Sequence, residues 1–181
     1  MKTLILLRHA KSGWDDPVAN DFDRPLNAKG RRAAQAVGRE MRSLGIGFDA
    51  VLASPALRVV ETVAEAGRGF GEPIRPAYDR RLYLASPATL IERVRGVGDE
   101  VERLLLVGHN PGLERLAVML TRDDGNALRV AAAEKYPTAT VAEIALPVER
   151  WRDVGEGRGR LERFIRPRDI DPALGPETKA H

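Results

Sequence analysis

Hydrophobic residues in this chain follow two rhythms. Short, nearly continuous apolar runs rich in leucine, isoleucine and valine occupy residues 3–7, 49–53, 104–107, 140–146 and 161–165, and read as strands. Amphipathic stretches lie between them. The most regular covers 28–44, where Ala33, Ala36, Val37, Met41 and Leu44 recur at helical spacing, with Asn27 placed as N-cap and Gly45 as the stop. Ser54 before Pro55, and Asn110 before Pro111, each set a capping side chain ahead of a proline suited to the first helical position, so helices are expected to begin at both. Residues 87–94 form a further expected helix, and Pro137 marks a break before the strand that ends near Leu146. Strands apolar on both faces need cover on both faces. The pattern therefore predicts an α/β domain, a three-layer α/β/α sandwich around a mainly parallel central sheet. That domain is expected over 1–166, with 167–181, which holds three prolines and no periodicity, as a loose tail.

Composition narrows the class. A chain of 181 residues with 43% hydrophobic content fits one domain with a real core. No cysteine is present, so disulfides and thiolate metal sites are excluded. The first apolar run is too short for a signal peptide or a membrane span, from which a cytoplasmic location and no membrane partner are expected. The net charge of +3 arises from 29 basic residues interspersed with 26 acidic ones, a mixed surface rather than a nucleic-acid-binding stripe. The run Arg158, Arg160, Arg163, Arg166, Arg168 reads as a solvated strand face.

The chemistry sits where apolar runs end. Arg8 and His9 close the first, Arg58 follows the second in Ser54-Pro55-Ala56-Leu57-Arg58, and His109 follows the third in Gly108-His109-Asn110-Pro111-Gly112. Ligands of open parallel sheets bind beyond the carboxyl ends of the strands, so these four side chains are expected to share one pocket. Arginine offers a planar fork of donors matched to phosphate oxygens, and histidine suits nucleophilic or acid–base work near neutral pH. A neutral imidazole can attack phosphorus while the guanidinium groups carry the charge of the transition state, a scheme that calls for neither metal nor cofactor.

Taken together, these motifs resemble the histidine phosphatase superfamily, and within it the small SixA-type phosphohistidine phosphatases. The strand followed by Arg-His-Gly corresponds to Leu6-Leu7-Arg8-His9-Ala10-Lys11-Ser12, the second motif to residues 54–62, and the third to Val107-Gly108-His109-Asn110; Asp23-Arg24-Pro25-Leu26-Asn27 and Gly30 add to the likeness. The resemblance implies a phosphoglycerate mutase-like fold, His9 as the phosphorylated nucleophile, Arg8 and Arg58 as phosphate ligands, and His109 as a hydrogen-bonding partner of the transferring group. It implies as substrate either a phosphorylated protein, such as a histidine-containing phosphotransfer domain, or a small phosphate ester.

Two departures bear on the substrate. Ala10 stands where the family has glycine, and the stretch that carries a general acid in related mutases reads Tyr78-Asp79-Arg80-Arg81-Leu82-Tyr83, leaving Asp79 as the candidate acid or else a turn residue. Imidazole leaves readily once protonated, with a pKa of ~6.5, so a phosphohistidine asks less of an enzymatic acid than an alkyl phosphate does. About fifty residues separate Arg58 from His109, too few for the large lid of the mutase-like relatives. An open site follows, one able to admit a protein side chain. Lys11, Ser12 and Asp15 are expected at the pocket rim, Ser12 as a substrate ligand; Trp14 either packs or lines the mouth; Trp151 packs; His181 is a terminal bystander. A phosphoprotein-binding module without turnover stands as the alternative from another class.

Overall fold

The computed structural model describes residues 1–13 and 20–176. Six strands, β1 (Lys2–Arg8), β2 (Ala50–Ala53), β3 (Ala77–Tyr78), β4 (Arg103–Gly108), β5 (Val141–Leu146) and β6 (Arg160–Ile165), form one sheet in the order β3-β2-β4-β1-β5-β6. β1 and β2 each lie parallel to β4, β3 lies parallel to β2, and β5 is antiparallel to both β1 and β6. Alternation along β1 divides the core. Leu4 and Leu6 face one side with α3 (Pro87–Arg95), α4 (Gly112–Leu120) and α5 (Ala127–Glu134), while Ile5 and Leu7 face the other with α1 (Ala28–Ser43) and α2 (Leu57–Phe70). The result is the expected three-layer α/β/α sandwich. No large insertion separates α2 from β4: α3, the helix in that stretch, puts Leu90, Ile91 and Val94 into the core against α4 instead of covering the strand ends. No helix among the described residues is long and apolar enough to cross a membrane.

Helix α1 starts and stops close to where its sequence dictates. The Asn27 side chain accepts from the Gly30 amide at 2.8 Å, and Ala33, Val37 and Met41 form the buried stripe. Its crossing with α2 is very close, because a Cβ on Gly38 would collide with the Ala66 carbonyl, and one on Gly69 with the Gln35 carbonyl. The two expected proline starts differ from the sequence reading. Helix α2 begins at Leu57 with Ala56 as N-cap, since Ser54, just past β2, is still tied to β4 by its amide, which donates to the Val107 carbonyl at 3.1 Å. Helix α4 begins at Gly112 with Pro111 at its N-cap, after a cis Asn110–Pro111 bond; Asn110 still caps it, accepting from the Glu114 amide at 3.2 Å.

The segment expected to be a loose tail is packed as far as residue 176. Pro167–Ile170 forms a short helix, α6, a 3-10 turn follows at Pro172–Leu174, and Ile170 and Leu174 lie against the α1 side of the core. Lys29 of α1 donates to the Gly175 carbonyl. Sequence periodicity gave no sign of this because one helical turn has no period to read. Trp14, Asp15 and His181 lie outside the described residues.

Candidate active site

Strand register brings the chemistry to one level. Arg8 is paired with Gly108 and Ala53 with Val107, so the residues that follow, His9, His109 and Ser54, leave the sheet side by side. The His9 amide donates to the Gly108 carbonyl at 3.0 Å. The two imidazoles stand 5.3 Å apart between ring centroids, tilted by 55°. Arg58, in the first turn of α2, reaches His109 from the same side. All four residues singled out by the sequence are thus brought together.

Hydrogen bonds fix both tautomers. His9 Nδ1 lies 2.8 Å from the Ala10 carbonyl, which can only accept, so Nδ1 carries the proton and Nε2 the lone pair. His109 Nδ1 faces the Arg58 guanidinium at 3.4 Å, which can only donate; His109 Nε2 therefore carries the proton and donates to Ser54 Oγ at 2.8 Å. The Ser54 hydroxyl, read from sequence as a helix cap, orients this imidazole. Burial, with help from Arg8, Arg58 and Arg24, pushes the His9 pKa down to about 4 against its Ala10 hydrogen bond. Burial, His9 and Arg58 together push His109 down to about 3. Both rings are neutral at pH 7.

Three arginines, not two, surround them. Arg8 donates to the Tyr136 carbonyl at 2.8 Å, and the Asn110 amide nitrogen shares that acceptor at 3.1 Å. Tyr136 is itself locked by a buried hydrogen bond from its hydroxyl to the Leu6 carbonyl, 2.6 Å long. Arg24 donates to Ser12 Oγ at 2.5 Å and to Asp21 at 2.8 Å. Arg58 spans the Asp21 carbonyl at 2.7 Å and its carboxylate at 2.9 Å, and the Tyr83 hydroxyl donates to that carboxylate at 2.6 Å. Burial alone would raise the Asp21 pKa, but hydrogen bonds from Tyr83, Arg24 and Arg58 outweigh it and hold the carboxyl well below the usual carboxylate range. Sequence reasoning missed Asp21 and Tyr83, which belong to no periodic pattern, and passed over Arg24 although it had noted the surrounding motif.

Ser12 meets Arg24, and Lys11 is exposed on the rim. Ala10 is fully buried in the core, its amide donating to Thr62 Oγ1 at 2.9 Å, so the methyl group is accommodated where the family pattern has glycine. Asp79 is engaged elsewhere. Its carboxylate accepts from the Arg81 amide at 2.9 Å, meets the Arg81 side chain, and pairs with Arg93 at 2.6 Å; against the upward push of burial, these contacts keep its pKa below the usual value. The turn reading of Asp79 is the one the geometry favours.

Comparison with known proteins agrees with this picture. The sequence profile of the histidine phosphatase superfamily (branch 1) matches residues 4–82. An uncharacterized protein of Mycobacterium tuberculosis is 41% identical over 164 residues, covering 90% of this chain and all of the relative. Among solved structures, a candidate phosphohistidine phosphatase SixA from Agrobacterium tumefaciens is 30% identical with a TM-score of 0.75, covering 92% of this chain and 98% of that one. Another, from Nakamurella multipartitia, has a TM-score of 0.80 at 26% identity over 92% of this chain and 96% of that one. With its motifs, the family profile and the structural likeness in agreement, the chain belongs to the histidine phosphatase superfamily.

Proposed function

We propose that the protein is a phosphatase that works through a phosphohistidine on His9 and takes protein phosphohistidine as its substrate. The observation that carries this reading is the buried His9 imidazole, held through Nδ1 by the Ala10 carbonyl so that Nε2 keeps the nucleophilic lone pair, among Arg8, Arg24 and Arg58. In the first step the substrate ring, protonated by solvent on its other nitrogen, leaves as neutral imidazole as its bond to phosphorus breaks and His9 Nε2 bonds to phosphorus. In the second step water attacks the phosphohistidine, giving phosphate and regenerating His9. Arg8 and Arg58 hold the equatorial oxygens, and their charge takes the place a metal holds in other phosphoryl transferases. The incoming dianion opposes the effect of burial, so His109 gains a proton and its Nδ1 donates to a phosphoryl oxygen. Ser12 acts on the substrate through Arg24.

Two features favour phosphohistidine over an alkyl ester: among the described residues no large insertion covers the strand ends, and Asp79 is held as a carboxylate by Arg81 and Arg93 and so is no proton donor. A second reading, hydrolysis of small phosphate esters, gains support from a cationic cleft beside Arg8. Phosphate release from a phosphohistidine protein and from glycerol 3-phosphate, an alkyl ester with a poor leaving group, measured with wild type and Asp79→Asn, separates the two. Unchanged release from both by the variant is expected; a large loss confined to the ester would assign Asp79 the acid role and sink the first reading's account of it.

A further inference from the structure

Arg8 faces a second hollow besides the one that holds His9. Beyond the carboxyl end of β1, the packed segment 166–176 and the loop before β5 enclose a cleft of about 280 Å³. Six cations line it, Arg8, Lys11, Lys29, Lys135, Arg166 and Arg168, and among the described residues no acidic side chain does. Asp169 pairs with Arg166 at 2.8 Å, and Glu114 lies within electrostatic reach of Arg8. Lys11, Lys135 and Arg168 are in no ion pair among the described residues. The floor is apolar, with Ala33, Pro137 and Leu174 contributing to it. Like charges gathered in a concave, partly desolvated wall repel one another and focus a positive potential into the hollow. Arg8, Lys29 and Arg166 also serve the fold, through the Tyr136 carbonyl, the Gly175 carbonyl and Asp169, whereas Lys11, Lys135 and Arg168 add their charge without an ion pair among the described residues to offset it. Arg166 and Arg168, expected on a solvated strand face, instead belong to this wall.

We infer that the cleft is a second phosphate-binding site, contiguous with the His9 pocket through Arg8, for a small molecule that carries two or more phosphate groups. One phosphate would sit by His9 and Arg58, the next against Lys11, Lys135 and Arg168. The shape favours a small ligand. An acidic protein surface could meet the exposed Lys11, Lys135 and Arg168 on the rim, but not the half-buried Lys29 and Arg166 deeper in the cleft. The inference does not depend on which substrate is turned over, because binding alone reveals it.

Calorimetric titration at physiological salt with orthophosphate, pyrophosphate and tripolyphosphate tests it on the intact chain. Wild type is expected to bind tripolyphosphate at least about tenfold more tightly than orthophosphate. Lys135→Ala/Arg168→Ala, which alters two exposed side chains, should lose most of that preference while its orthophosphate affinity and its p-nitrophenyl phosphate hydrolysis stay within about threefold. A control pair, Arg75→Ala/Arg152→Ala, removes equal charge from exposed positions that do not line the cleft and should keep the preference. Equal affinity for all three anions would overturn the inference. So would a preference that survives in the cleft variant, is lost equally in the control pair, or is matched by a polyglutamate peptide.

Discussion

Lowering the pH from 7 to 4 adds protons to His9 and His109 in the unfolded chain before it does so in the folded one. Both rings are buried, 9% and 3% exposed, and face guanidinium groups, so burial first and the neighbouring charges second disfavour the imidazolium. The folded-state pKa lies at about 4 for His9 and about 3 for His109, against about 6.5 in the unfolded chain. Folded values that are depressed mean that the unfolded state binds more protons below pH 6.5. Stability is therefore complete above that pH and declines as the pH falls towards 4. For His9 alone the gap corresponds to on the order of 3 kcal/mol at pH 4, a large share of the total stability of an ordinary domain. The carboxylates with depressed pKa values, Asp21, Asp79 and Asp169, lose their contribution only below the ordinary carboxylate range of about 4, which leaves the window from 4 to 6.5 to the histidines. Urea unfolding followed by circular dichroism between pH 4 and 7.5 measures the effect in wild type and in His9→Gln/His109→Gln. Wild type should lose at least about 3 kcal/mol more than the variant across the window. Parallel curves would refute the burial-driven account of the neutral rings.

Other perturbations read out other parts of the site. Arg58→Ala removes a phosphoryl-oxygen donor and strips the Asp21 carboxylate of a partner, so kcat/KM on p-nitrophenyl phosphate should fall by about 10²–10³-fold, with Arg58→Lys recovering little because it lacks the planar fork. Ser54→Ala leaves the buried His109 Nε2–H without its acceptor; unfolding free energy should drop by about 1–3 kcal/mol, and nuclear magnetic resonance of the ring nitrogens should show a mixed tautomer. Gly38→Ala drives a methyl group into the Ala66 carbonyl at the α1–α2 crossing, with an expected loss of about 1–3 kcal/mol or more in urea unfolding and little change in kcat.

Five of the six strands, and the convergence of Arg8, His9, Arg58 and His109, were legible in the sequence for a physical reason. Buried parallel strands are apolar runs, and their carboxyl ends fall at one level whenever the register is even, as it is for Arg8 with Gly108 and Ala53 with Val107. What stayed hidden depends on contacts distant along the chain. Asp21 meets Tyr83 across 62 residues, and Arg8 meets the Tyr136 carbonyl across 128; no local pattern encodes either. Ser54 was recognised as a residue with a hydroxyl to use, but the user is His109, 55 positions away, in addition to the nearby Ala56 amide. β3, two residues long, and α6, four, are too short for any period to mark. The tail packs because Ile170 and Leu174 find the apolar edge of α1, which the tail's own composition does not disclose.

The central claim is that His9 carries the phosphoryl group between substrate and water. Rapid mixing of the protein with a radiolabelled phosphohistidine protein in excess EDTA, followed by an acid-free quench, tests it directly. Label should pass transiently to the wild-type chain in an acid-labile, alkali-stable form and then appear as free phosphate, and His9→Ala should show neither. Phosphate release without labelled enzyme, or label that persists in His9→Ala, would contradict the account.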